Sequence, residues 1–138
     1  MRRSPQRKRL QNAIVARDLM TEDPMVVDEN ASVADAIDIL YSLDIRHLPV
    51  MRGKELVGLL SDRDLQPLLR DESSRTRTVA SVMNSNVISV DPDASIAEIS
   101  AALVDNRIGA VPVVDGHEGD LIGIVSYVDV LRDLAKTA

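Results

Sequence analysis

Gly58-Leu59-Leu60-Ser61-Asp62-Arg63-Asp64 returns 65 positions later as Gly123-Ile124-Val125-Ser126-Tyr127-Val128-Asp129. In each segment an apolar run carrying one glycine reads as a strand, and the Ser-x-x-Asp that follows reads as the start of a helix. Upstream the two halves stay in register at a spacing of 63: Met20 matches Met83, Ser32 matches Ser95, and Pro49 matches Pro112. The two extra residues fall where Asp115-Gly116-His117-Glu118-Gly119-Asp120 replaces Arg52-Gly53-Lys54, a position at which a hairpin loop tolerates insertion. The chain is therefore an internal duplication, and one description serves both halves.

Each copy opens with a short apolar strand, Met25 to Val27 or Val87 to Val90. A helix follows, announced by Ser32 with Asp35 or Ser95 with Glu98, the serine as N-cap and the acid three residues on. Leu48 to Met51 with Leu56 to Leu60, and Ala110 to Val114 with Leu121 to Val125, read as hairpins. A second helix begins at Ser61 or Ser126, and Pro67 shortens or bends it in the first copy. The predicted fold class is α/β (α+β): two βαββα units paired about a pseudo-two-fold axis, with related grooves at the seam. Residues 1–9 read as a basic disordered tail, 10–70 as the first repeat with a lead-in helix from about Leu10 to Leu19, 71–78 as a linker, and 79–138 as the second repeat.

Composition narrows the functions open to such a pair. Cysteine is absent, which removes disulfides, thiolate metal sites and thiol nucleophiles. No apolar run is long enough to span a bilayer, and the basic N-terminus lacks a signal-peptide core, so the expectation is a cytoplasmic protein with no membrane contact. Arg2, Arg3, Arg7, Lys8 and Arg9 crowd five cations into a start with no acid, although the whole chain carries a net charge of −6. That arm reads as a solubilising tail or as a weak contact for an anionic partner; the acidic body argues against nucleic acid as a partner. With no Phe, no Trp and only Tyr41 and Tyr127, a nucleotide base would have to rest on Val, Ile, Met and backbone groups.

The repeated Ser-x-x-Asp has two readings. As structure, the serine caps a helix and the acid complements its dipole, together worth about 1 kcal/mol. As function, a carboxylate fixed at a helix start accepts hydrogen bonds from both hydroxyls of a ribose. Gly58 and Gly123 admit a close ligand or equally a packing contact. Arg46-His47 stands at the mouth of a strand just before Pro49, where a guanidinium fork and an imidazole suit a phosphate; a solvated Arg beside a hydrogen-bonded His is the plainer account. The second copy has Gly109 and Ala110 there and Val128 opposite Arg63, so the two grooves should be unequal in charge.

Ala16-Arg17-Asp18-Leu19-Met20, Val79-Ala80-Ser81-Val82-Met83, the Ile45–Val50 and Ile108–Val113 segments and the two Gly-x-x-Ser-x-x-Asp runs, in that order and duplicated, resemble a tandem pair of CBS domains, a Bateman module. The Ser-Asp-Arg-Asp-Leu run is similar to the CBS repeats of acetoin-utilisation-type proteins and of inosine-monophosphate dehydrogenases. The resemblance implies an adenosyl ligand, AMP, ADP or ATP and sometimes S-adenosylmethionine or NAD, with no required cofactor and assembly into a homodimer. It implies Asp64 and Asp129 on the ribose, and Arg46, His47, Ser61, Arg63 and Ser126 toward phosphate. It implies Pro24, Met25, Val26, Val87, Ile88, Gly109 and Ala110 around the base.

The expected function is a non-catalytic regulatory module that signals to a regulated protein. A ligand-free dimerisation or scaffold module is the alternative, and neither a catalytic residue nor a metal site is expected.

Overall fold

The computed structural model describes residues 13–116 and 119–136. The basic tail and His117 lie outside the described residues. In chain order the elements are α1 (Ala16–Leu19), β1 (Thr21–Glu22), β2 (Val27–Asp28), α2 (Val33–Leu43), β3 (His47–Arg52), β4 (Glu55–Ser61), α3 (Asp62–Leu65), α4 (Ile96–Asn106), β5 (Ala110–Val114), β6 (Leu121–Ser126) and α5 (Tyr127–Lys136). Two three-stranded sheets result, ordered β2-β3-β4 and β1-β6-β5.

Both long helices start as the serine spacing predicts. Ser32 accepts the Asp35 N–H at 3.1 Å, and Ser95 and Glu98 form a reciprocal capping box. Both end on a residue in the left-handed region, Asp44 at φ 52° and Arg107 at φ 54°. The hairpins β3–β4 and β5–β6 pair as expected, with Pro49 opposite Leu59 and Pro112 opposite Ile124. At Pro67 the helix tightens into a 3-10 turn over Gln66–Leu68, so α3 lasts one turn while α5 runs for ten residues.

Two sequence expectations are revised. Leu10 to Asn12 of the expected lead-in helix lie outside the described residues, and within them the helix is a single turn: Val15 is extended and bridges Ser95, its N–H donating to the Asp18 carboxylate at 2.9 Å, and helix follows from Ala16. The opening strand of the second copy shrinks to one bridge, Val90 to Val113; upstream of it Asn84 pairs with Leu59 and its side-chain oxygen accepts the Asn86 N–H. The segment read as a linker is ordered: Glu72–Thr76 forms a 3-10 turn with Ser74 buried, and hydrogen bonds from Ser73 and Ser74 hold the Asp71 carboxyl below its ordinary range.

The buried side chains form two clusters, one per half, and each includes a residue from the other copy. Val79, wholly buried, joins Val33, Leu40, Leu48, Val50 and Leu60 of the first half, while Ala16 joins Ile99, Val111, Val113 and Val125 of the second. The backbone repeats the exchange. Val79 N donates to Ala31 O and Ala16 N to Ala94 O; β1 pairs with β6, and Asn84 pairs with Leu59 of β4. Burying a valine is worth about 1.5–3 kcal/mol, so the swapped openers bind the halves as firmly as ordinary core contacts do.

Candidate functional site

The exchange leaves two clefts related by the pseudo-two-fold axis. The first, of about 600 Å3, contains Ser61, Arg63, Asp64, Asn84 and, from the second half, Arg107 and Gly109. The second, of about 540 Å3 and more apolar, contains Thr21, Pro24, Met25, Ser126, Val128 and Asp129. Arg46, His47 and Tyr127 line both.

Each serine–aspartate pair is locked in the same way. Asp64 Oδ2 accepts from the Ser61 N–H at 3.0 Å and from the Ser61 hydroxyl at 2.9 Å, while Ser61 Oγ accepts the Asp64 N–H at 3.2 Å. In the second copy the corresponding distances are 2.8, 3.0 and 3.3 Å. Capping therefore uses one carboxylate oxygen and leaves the other, with its two lone pairs, for hydroxyl donors. The hydroxyls of Ser61 and Ser126, expected to face phosphate, donate here to the Asp64 and Asp129 carboxylates.

The two free oxygens differ. Asp64 Oδ1 has no hydrogen-bond or ion-pair partner among the described residues, whereas Asp129 Oδ1 lies 3.8 Å from Arg132 Nη1. The cations differ as well. Arg46, Arg63 and Arg107 face Asp62 and Asp64 in the first cleft; Arg46 and Arg132 face Asp44 and Asp129 in the second. The first is the more positive, in line with the asymmetry read from Val128 and Gly109, but part of its charge comes from Arg107 of the second copy.

His47 stands between the clefts. Burial holds its imidazole below the ordinary value; Asp62 and Asp64 pull the other way, and Arg46 adds to the depression. A Cβ on Gly109 would come within 2.8 Å of His47 Nε2, so the absence of a side chain at 109 makes room for the ring.

The remaining expected positions divide. Gly109 lines the first cleft, and Ala110, Pro24 and Met25 line the second. Val26 faces a third hollow beside Asp28, Met51 and Lys54. Val87 and Ile88 line none of these: Val87 is exposed and Ile88 packs on the second core. Gly58 and Gly123 lie against Met83 and Met20 of the exchanged openers, which settles their reading as packing contacts.

Sequence reasoning missed Arg107, Asn84 and Tyr127. The pseudo-symmetry held a signal for the first, since Arg107 aligns with Asp44 just before the matched Ile108 and Ile45. Tyr127, one of only two tyrosines, lines both clefts. Among the described residues no cluster of metal-ligating side chains occurs, and no helix is long and apolar enough to cross a membrane.

Residues 16–71 and 79–136 each match the family model described as the CBS domain. Among curated relatives, the inosine-5'-monophosphate dehydrogenase of Methanocaldococcus jannaschii is 29% identical over 85% of this chain. The chain spans 23% of that enzyme's length, and the same share of an L-aspartate semialdehyde sulfurtransferase and of a homoserine O-acetyltransferase. Among solved structures, the CBS domain pair of protein MJ0100 in complex with 5'-methylthioadenosine and S-adenosyl-L-methionine superposes with a TM-score of 0.81 at 26% identity, covering 91% of this chain and 99% of that one. CBSX2 in complex with AMP superposes with a TM-score of 0.78 at 28% identity, covering 91% and 98%.

Proposed function

The chain belongs to the CBS domain family, of which it carries two tandem copies, and from that premise we propose that it is a regulatory module whose first cleft binds an adenine nucleotide. The observation that carries this reading is Asp64, a residue lining the cleft: its Oδ2 is fixed by Ser61, and its Oδ1 has no hydrogen-bond partner among the described residues. Two adjacent ribose hydroxyls match the two lone pairs of that oxygen. Arg46, Arg63 and Arg107 surround the same space and supply forks for the phosphates of AMP, ADP or ATP. Two structural relatives hold adenosyl compounds, AMP in one and S-adenosyl-L-methionine with 5'-methylthioadenosine in the other, which supports the ligand class.

The role is regulatory rather than catalytic. His47 is the one histidine among the described residues, and both serine hydroxyls are tied to aspartates, so the clefts hold groups that grip a ligand and none poised to attack it. A ligand touching both halves shifts the balance of their arrangements by its differential affinity, and a regulated partner protein reads that shift. Titration calorimetry with AMP, ADP, ATP, NAD and S-adenosylmethionine tests the reading. Binding of an adenine nucleotide that Asp64→Ala weakens at least tenfold is expected; no binding below about millimolar by any of them contradicts it.

One observation favours a second reading, a dimerisation module that needs no ligand. Tyr41, Leu43, Val104 and Leu131 expose apolar surface on α2, α4 and α5, with Val104 at 74%. A homodimer would cover it, and sedimentation over a concentration series measures that directly. Melting that depends on protein concentration but on no nucleotide would favour this second reading.

A further inference from the structure

The two clefts share their most polar wall, and that sharing has a consequence for occupancy. A fully symmetric pair would give each cleft its own cation and imidazole at the strand mouth. Here Gly109 and Ala110 stand where the first copy has Arg46 and His47, so a single set lines both spaces. The ring of His47 reaches into room that a side chain at 109 would fill. The other cations are apportioned unevenly: Arg63 and Arg107 line the first cleft alone, while the second has Arg132, which sits 3.8 Å from the Asp129 carboxylate.

We propose that the two clefts are antagonistic toward phosphorylated ligands: one phosphate-bearing ligand occupies the first cleft, and by engaging Arg46 and His47 it weakens the second cleft for another. The inference rests on the nucleotide-binding function given above and adds to it a stoichiometry and a coupling. A guanidinium that forms a bidentate pair with a phosphate in one cleft cannot offer the same fork to a phosphate in the other. The second phosphate then meets Asp44 and Asp129 with only a paired Arg132 to offset them. Linkage makes the effect reciprocal, so an anion forced into the second cleft weakens the first by the same factor. An uncharged adenosine-type ligand makes no demand on Arg46 and escapes the antagonism, which lets the pair read a charged and an uncharged adenosyl compound at once.

Calorimetric titration with ADP tests this on the full chain. In the wild type one ADP per chain is expected in the first step, with any second step much weaker. The decisive measurement is the affinity of the second cleft when the first is disabled. In Asp64→Ala, and in Asp64→Asn, which keeps an acceptor for the helix cap, ADP should bind the second cleft roughly tenfold more tightly than in the wild-type second step, because Arg46 is released. Arg46→Ala should remove that gain. Equal second-cleft affinity with and without a working first cleft, or two equal and independent ADP sites in the wild type, would overturn the antagonism while leaving the nucleotide-binding function in place. No ADP, AMP or ATP binding at all would overturn both.

Discussion

The thioether of Met83 lies over Gly58 so closely that a Cβ on the glycine would come within 2.5 Å of the sulfur, and Met20 covers Gly123 in the same manner. Each methionine belongs to the opener of one copy and each glycine to the sheet of the other. The pair of contacts is the seal on the exchange that holds Asp64 and Asp129 beside the seam.

Gly58→Ala should therefore destabilise the protein by about 1–3 kcal/mol through overpacking, even though the position lies in a strand that would otherwise favour alanine over glycine. The Asn84 carbonyl, 3.0 Å from the same Cβ position, is backbone and cannot swing aside. Urea unfolding measures the cost. Combined with Met83→Ala the penalties should be less than additive, since the clash disappears with the sulfur.

Asp64 and Asp129 have identical caps but different second oxygens, so their removal should separate stability from binding. Asp64→Ala and Asp129→Ala should each cost about 1 kcal/mol of stability through loss of a cap interaction. Only the first should lower nucleotide affinity tenfold or more in calorimetry, because Asp129 Oδ1 is drawn to Arg132.

His47 gives the protein an acid-sensitive stability. Its folded pKa is lowered from 6.5, chiefly by burial, so the native state resists a proton that the unfolded chain accepts. The stabilisation is complete above pH 6.5 and is lost as pH falls from there toward the folded value. The slope cannot exceed about 1.4 kcal/mol per pH unit, and urea unfolding at pH 7.5, 6.5 and 5.5 should show part of it in wild type and less of it in His47→Asn. A phosphate held beside the ring is expected to raise the pKa instead, since the anion favours the imidazolium. Calorimetry at pH 6.5 in buffers of different ionisation enthalpy should show more proton uptake with ADP for the wild type than for His47→Asn.

Arg107 ends α4 at φ 54°, where glycine is the unstrained choice. Arg107→Gly should stabilise the fold by about 0.5–1 kcal/mol, the relief of left-handed strain less the entropy of the glycine, and at the same time weaken ADP more than adenosine. Thermal melting and calorimetry on the one variant measure both effects. A gain in stability paired with a loss in phosphate affinity identifies a residue kept for its charge.

The elements were legible in the sequence where a local rule decides them. Ser32, Ser95, Ser61 and Ser126 each mark a helix start, Pro67 marks the early end of α3, and the Gly-containing turns mark the hairpins. The exchange of openers was not legible, because Ala16-Arg17-Asp18-Leu19-Met20 looks the same whichever half it packs against; only tertiary hydrogen bonds such as Ala16 N to Ala94 O decide it. The acids of the site could be read because they repeat. Arg107 left only its register with Asp44 as a signal, and Tyr127 left none, because it stands where the first copy has Asp62.

Nucleotide recognition turns on the second carboxylate oxygen of Asp64, the one its helix cap does not use. A crystal structure of the full chain with AMP should show both ribose hydroxyls within about 2.5–3.0 Å of Asp64 Oδ1 and the phosphate among Arg46, Arg63 and Arg107. AMP bound with its ribose away from Asp64, or lodged in the cleft of Asp129 with the first cleft empty, would contradict it.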